Sequence, residues 1–413
     1  MSIPFSLPLI DQDVIDEVND TLTNTGWLTT GPKVRLLEAE IGKLTGTPVL
    51  CVNSWSSGAM LMLRWFGVGA GDEVIIPAYT YSATGLSALN LGADVVMVDV
   101  RDDFTMDPDL LRAAITPRTK AIIPVDMGGL PADYDAIMQV ARDAAATFTP
   151  ANERQRILGR PLVVTDAAHS IGATYRGEPN GQQADFSVFS LHSVKNVTTG
   201  EGGAICFNLP LFQSDGSKAF DNEAEYQFSK ALSLNGQSKS AFEKNQVGAW
   251  RYDILDQGLK VNLPDLGAAV GLAQMRKYPQ ELLPDRKRMF RRYLDGFSGY
   301  DWAILPPLAD GIRESSCHLF LLRIGGADEA RRDAIIDHVS KAGVGVNVHY
   351  IPMPMLTLWS RLGYRMADYP NTYALYANEI TLPLYNGLSD EQIDEVIRVV
   401  AEAVAATGTE AAT

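Results

Sequence analysis

The chain reads as an α/β protein: a large domain with a mainly parallel β-sheet covered by helices, followed by a smaller C-terminal α+β domain. Two observations carry this. Through roughly the first 210 residues, short apolar runs alternate with helix-like stretches, the runs falling at 49–52, 74–76, 95–98, 121–125, 162–164 and 204–207. They are continuous and β-branched, and Gly, Pro or Asp bounds them, as expected of strands buried on both faces. The other observation is length: 413 residues exceed what one small core organises and suit a large domain plus a smaller one.

In chain order, Val14, Ile15, Val18 and Leu22 space an opening helix behind Asp11, a good N-cap. A helix through 59–65 separates the first two runs. The Gly67-Val68-Gly69-Ala70-Gly71-Asp72 segment looks like a dinucleotide fingerprint, but that motif follows a strand and opens a helix. Here the glycines end a helix and precede a strand, so a C-cap and turn explain them and a nicotinamide site is rejected. From about residue 270 the pattern changes to a helix over 268–277, a charged continuation to Asp295, separated strand-like pieces and a helix over 329–342. Ser389 and Gln392 form a capping box before the stripe Ile393, Val396, Ile397, Val400 and Val404. The domain division is expected at 1–265 and 266–413, with fraying expected only in the Ala-rich stretch 401–413.

Composition narrows the function. With 46% hydrophobic and 21% charged residues the chain has no disorder signature. A net charge of −15 argues against a nucleic-acid partner, although backbone N–H groups and one or two cations can still hold a phosphorylated small ligand. Three cysteines without CxxC or Cys/His spacing argue against a disulfide framework or a structural metal. The N-terminus has no signal-peptide pattern and no run approaches membrane length, so a cytoplasmic protein with no membrane partner is expected.

The chemistry points to Lys195, in Ser190-Leu191-His192-Ser193-Val194-Lys195-Asn196 before Gly200-Glu201-Gly202-Gly203. It lies 29 residues after Asp166, the acid that ends an apolar run in Asp166-Ala167-Ala168-His169. An amine that can form an imine, with a carboxylate that can keep a pyridine nitrogen protonated, is the minimum equipment for pyridoxal phosphate chemistry. Ligands of open parallel sheets bind outside the carboxyl ends of strands, where Asp166 falls. His169 could lie against a planar ring. In Asn53-Ser54-Trp55-Ser56-Ser57-Gly58, hydroxyls and free N–H groups at a helix start suit an anion, and Ser190 adds a hydroxyl. Tyr81 follows the next strand and could stack on a cofactor, while core packing is the commoner fate of such a ring. His349 and Tyr350 are candidates to face the cleft from the smaller domain.

With these motifs the chain resembles the DegT/StrS family of sugar aminotransferases, which have the fold-type-I pyridoxal-phosphate architecture. The likeness runs from Gly26-Trp27-Leu28-Thr29-Thr30-Gly31-Pro32 to Leu382-Pro383-Leu384-Tyr385 and includes Gly258-Leu259-Lys260-Val261-Asn262-Leu263. It implies a seven-stranded-type sheet, Lys195 as the imine-forming lysine, Asp166 as partner of the pyridine nitrogen and Tyr81 as the stacking ring. It further implies that Ser56, Ser57 and Ser190 hold phosphate and that Asn262 reaches the phosphate of the neighbouring subunit; Thr30 and His349 are candidates to contact substrate, with strand-end packing the other reading of His349. A homodimer with the active site at the interface follows. The His-x-x-Lys-Asn form is most similar to the branch that aminates the 4-keto group of nucleotide-linked sugars, such as the 4-amino-arabinose-nucleotide aminotransferases; retention of lysine favours transamination over dehydration. Ser56-Ser57 stands where Thr-Ala is usual and Val261 where an aromatic is usual, and the segments 140–161 and 215–242 are longer than typical. The expected reaction moves an amino group from an amino acid, L-glutamate by resemblance, to a nucleotide-linked keto sugar. A 3-keto sugar or keto-cyclitol acceptor, and a silent regulator on the same fold, stand as alternatives.

Overall fold

Seven strands form the central sheet: β1 (Val49–Val52), β2 (Glu73–Pro77), β3 (Asp94–Val98), β4 (Thr119–Ile122), β5 (Leu162–Asp166), β6 (Phe186–Ser190) and β7 (Gly203–Phe207). The computed structural model describes residues 2–213, 215–245 and 247–408. The spatial order is β1-β7-β6-β5-β4-β2-β3. The pairs β2–β3, β2–β4, β4–β5 and β5–β6 are parallel, and β7 alone runs antiparallel to its neighbours. Every residue of β1, β2 and β4 to β7 is buried, which is why those runs carry no polar alternation. The strand proper ends at Ile122, although Ile123 N–H still donates to Ile75 O and Pro124 O accepts the Asp166 N–H, both at 2.8 Å; Pro124 itself has no N–H to offer. β6 was not among the expected runs: its Phe-Ser-Val-Phe-Ser pattern reads as half-exposed, yet both faces are covered and Ser187 and Ser190 are buried.

Helices cover both faces. α1 (Gln12–Asp20) is capped by Asp11, which accepts the Val14 N–H at 3.3 Å. α2 is Pro32–Thr45, and α3 (Trp55–Phe66) ends on Gly67 at φ 81° before the turn into β2, as the sequence indicates. α4 (Asp265–Lys277) runs through a π-turn at Tyr278–Leu282 into α5 (Leu283–Phe297).

The division expected at 265/266 does not match the cores. Ala268, Leu272 and Met275 of α4 share a core with Val34, Leu37 and Ile41 of α2, so α4 packs with the large sheet. The second core begins with Met289, Phe290 and Tyr293 of α5 and takes in Phe320, Ile380 and Ile393, together with Ile3 from the chain start. One uninterrupted helical run thus serves two cores, and the apolar face decides the allegiance of each half.

The smaller sheet pairs Ala303–Ile304, β8 (Phe320–Ile324) and β9 (Glu379–Leu382) in antiparallel order. α6 (Glu329–Lys341) and α7 (Asp390–Gly408) complete it. The capping box forms: Ser389 N–H donates to Gln392 Oε1 at 2.9 Å and Gln392 N–H to Ser389 Oγ at 3.2 Å. α7 continues to Gly408 with Ala403 and Val404 buried, so the 401–408 part of the stretch expected to fray is packed helix; 409–413 lie outside the described residues.

Candidate active site

A cleft of about 470 Å³ opens at the carboxyl ends of β2, β5 and β6, between the two cores. Asp166, the last residue of β5, pairs in register with Val188 of β6, so Ser190 and the turn after it emerge at the same edge. That turn is closed by Lys195 N–H donating to His192 O at 2.9 Å, and it brings Lys195 into the cleft that Asp166 floors. β7 returns beside β6, pressed against the start of α3. A Cβ on Gly203 would lie 2.7 Å from Ser54 C and 2.8 Å from Trp55 N, which explains the glycine.

Asp166 is 5% exposed and accepts from Thr84 Oγ1 at 2.8 Å and from Ala168 N–H at 3.2 Å. Burial pushes its pKa up to about 6, against these two hydrogen bonds and the Lys195 charge. Burial likewise brings Lys195 down to about 8, opposed by Asp166. Lys195 Nζ has no hydrogen-bond or ion-pair partner among the described residues. His169 is buried and held neutral well below its ordinary range. Its Nδ1 accepts the Gly128 N–H at 3.2 Å, so the proton sits on Nε2, 3.1 Å from the Tyr350 hydroxyl.

Also on the cleft, Ser54 caps α3, its Oγ accepting the Ser57 N–H at 3.1 Å. The remaining first-turn N–H groups have no acceptor within the helix. Ser54, Ser56 and Ser190 line the same cleft as Asp166 and Lys195.

Other expected site residues lie differently. Ser57 does not line the cleft; its hydroxyl pairs with Ser54 Oγ at 2.9 Å. Tyr81 is 62% exposed at the rim, its ring 5.6 Å from that of Tyr350. His349 lines the cleft under a stacked Phe5 ring at 5.5 Å. Asn262 and Thr30 line a separate hollow: Asn262 Nδ2 donates to Thr30 Oγ1 at 2.7 Å, and Thr30 Oγ1 to Leu263 O at 2.7 Å. Within one chain they do not join Lys195.

Sequence reasoning missed four contributors: Phe5, Ser6, Thr84 and His318. Phe5 and Ser6 enter the cleft because Ile3 bridges to Val344. Thr84 had no signal beyond lying after a strand. His318 is a lone histidine ahead of β8, and the fold sets its ring 4.5 Å from that of His169. Asn196 uses Nδ2 to donate to Tyr278 Oη and Ser316 O, leaving Oδ1 to accept from His318 Nδ1 at 2.9 Å.

The donor set fits pyridoxal phosphate. An unpartnered amine and a buried acid, both shifted toward neutrality, share one cleft with a hydroxyl-rich helix start. A cationic ring nitrogen would supply the charge that Asp166 lacks.

The comparisons agree with this chemistry. The chain is 34% identical over 408 residues to a spore coat polysaccharide biosynthesis protein, SpsC, of Bacillus subtilis, covering 97% of each chain. Among solved structures, Spr1654 of Streptococcus pneumoniae, described as a sugar aminotransferase, matches in its PMP form with TM-score 0.92 and 43% identity over 98% of this chain and 100% of that one. Its PLP form matches equally, with TM-score 0.92 and 42% identity over the same shares. The sugar aminotransferase CalS13 of Micromonospora echinospora superposes with TM-score 0.81 at 26% identity, over 97% of this chain and 99% of that one. The DegT/DnrJ/EryC1/StrS aminotransferase family model matches residues 8–401, and the chain belongs to that family of pyridoxal-phosphate-dependent sugar aminotransferases.

Proposed function

We propose that the protein transfers an amino group from L-glutamate to the C4 keto group of a nucleotide-linked deoxyhexose or pentose, for an amino sugar of a surface polysaccharide. The observation that carries the reading is the unpartnered Lys195 amine sharing one cleft with the buried Asp166 carboxyl. The Bacillus relative's part in spore coat polysaccharide biosynthesis supports the pathway class. Three free, buried cysteines suit a reducing compartment and support a cytoplasmic setting; among the described residues no helix is long and apolar enough to cross a membrane.

Ser54, Ser56, Ser190 and the start of α3 would hold the phosphate, Asp166 the ring nitrogen and Lys195 the carbonyl carbon; Ser57 would act through Ser54. When bound, pyridoxal phosphate supplies an electrophilic carbon and a ring that accepts electrons. Lys195 would carry the proton that amino transfer moves, and its lowered pKa keeps a neutral fraction near pH 7. Asp166 keeps the ring nitrogen protonated, held by Thr84. Burial behind Phe5, Tyr350 and His318 limits the access of water to Lys195.

The acceptor would lie toward His349 and Tyr81. Asn262 and Thr30 would complete the partner's site in a homodimer. Exposed Trp250, Tyr252, Ile254 and Leu255, on the strand-like segment leading to Asn262, support an apolar interface there. The test offers purified holoenzyme a panel of nucleotide-linked 4-keto and 3-keto sugars and keto-cyclitols with glutamate, and analyses the products. Amination of a 4-keto sugar is expected; turnover only of a 3-keto sugar or cyclitol would reassign the acceptor, and bound cofactor with no amino transfer to any of them would sink the reading.

A further inference from the structure

We propose that Glu379, Thr381 and His349 form a proton relay opening on the cleft, with Glu379 as its buried terminus. Glu379 and Thr381 lie two apart on β9, hence on one face, and both are fully buried. Thr381 Oγ1 donates to Glu379 Oε1 at 2.5 Å, and His349 Nδ1 lies 2.9 Å from Thr381 Oγ1. The His349 backbone N–H donates to Glu379 Oε2 at 3.0 Å, fixing the carboxyl against the residue whose ring it serves. Among the described residues Glu379 has no ion-pair partner. A buried carboxyl without one costs stability and needs a reason, and the amino-transfer chemistry set out above makes no use of it.

The hydroxyl between them has a single proton, so the chain has two states. With Glu379 ionised, Thr381 donates to the carboxylate and His349 donates its Nδ1–H to Thr381; Nε2 is then a bare acceptor on the cleft side. With Glu379 protonated, the carboxyl donates to Thr381, Thr381 donates to His349 Nδ1, and Nε2 carries the proton. Passage between the states balances. A proton from the cleft bonds to Nε2, the Nδ1 proton passes to Thr381 Oγ1, and the Thr381 proton passes to Glu379 Oε1. The imidazole ends neutral and the proton ends on the carboxyl. Such a proton exists in any amino transfer, because the donor arrives as an ammonium ion and must lose one to become a nucleophile.

The surroundings favour storage on the carboxyl. Around Glu379 are the Arg332 guanidinium, whose Nη1 donates to the Glu379 carbonyl at 3.2 Å, and the phenols of Tyr79 and Tyr350. Around His349 are Lys195, His169 and His318, beneath the Phe5 ring. Burial pushes Glu379 up to about 8, and burial with the Lys195 charge brings His349 down to about 3, so the imidazole conducts without charging.

The relay rests on amino transfer and not on the identity of the acceptor. It is tested on ¹⁵N-histidine-labelled holoenzyme, with His349→Gln identifying the His349 signals. We expect His349 to pass from the Nδ1–H to the Nε2–H tautomer as pH falls through about 8, without becoming imidazolium. Glu379→Gln, whose amide donates to Thr381, holds the Nε2–H tautomer throughout. A pH-independent tautomer in the parent protein, an imidazolium, or a Gln variant that still switches overturns the relay. In single turnovers with glutamate alone, Glu379→Gln and Thr381→Val should slow the donor half-reaction on the order of 10²-fold with glutamate affinity retained, and Thr381→Ser should restore it. Unchanged rates in both overturn the relay; a parent holoenzyme whose absorbance does not respond to any amino donor overturns amino transfer itself.

Discussion

Burial moves the titrations of Lys195 and Asp166 out of their usual ranges while each charge opposes the other's shift, and both shifts can be tested. Lys195→Ala should lose at least about 10³-fold in turnover while still binding cofactor, seen as absent imine absorbance in a protein that retains the ligand. Uptake of cofactor by the cofactor-free protein needs the neutral amine, so its rate should climb with pH and level off above about 8. The Asp166 charge opposes deprotonation of Lys195, so Asp166→Asn should move that profile to lower pH. Thr84→Val removes the hydroxyl that donates to Asp166 at 2.8 Å. A hydrogen bond to a charged group contributes about 1.5–3 kcal/mol, so kcat should fall roughly ten- to hundredfold. At this scale the sequence showed the acid, because it closes a recognisable strand, and the amine, because it stands among Ser, His and Asn before a Gly-rich turn and not on a charged helix face. It did not show Thr84, His318 or Glu379, whose roles depend on what lies opposite them.

Among elements, the junction of α3 with β7 makes the anion end of the cleft. Ser54→Ala should cost about 1 kcal/mol of stability in urea unfolding, the usual loss for an N-cap, and should weaken cofactor affinity as well. The contact of α2 with β1 runs through Glu38, which accepts the Cys51 N–H at 2.9 Å and the Tyr226 hydroxyl at 3.0 Å. Burial raises its pKa from 4.5 to about 7. The folded state then binds more protons than the unfolded state between those values, so the stability from protonated Glu38 is complete below 4.5 and lost as pH rises to about 7. Glu38→Gln should flatten that fall, by an amount on the order of 3 kcal/mol at pH 8; unfolding curves at pH about 4 and 8 that move in parallel for the two proteins would remove this account. α1, α3 and α7 were legible from their caps, and most strands from β-branched runs. β6 was not, because its serines are buried, and α4 was assigned with the wrong core because a helix without a break does not announce which sheet it covers.

For the molecule as a whole, the separation of Asn262 and Thr30 from Lys195 within one chain is the point to test. If a second copy completes each site, mixing Lys195→Ala and Asn262→Ala subunits under exchange should restore roughly a quarter of parental activity, since half the dimers would carry one intact site. Activity no greater than the sum of the two inactive preparations would place Asn262 outside the partner's site.

By itself the sequence determined the buried parallel sheet, the helix caps, and the Asp166–Lys195 pairing with its serine-rich helix start. These follow from local rules, since apolar periodicity, capping chemistry and strand-end position are written in neighbouring residues. Only the tertiary structure decided which core α4 joins, that the chain start roofs the cleft, and that Glu379 reaches His349 through Thr381. Those outcomes depend on contacts between segments far apart in the chain, where side-chain geometry across a core decides what local pattern leaves open.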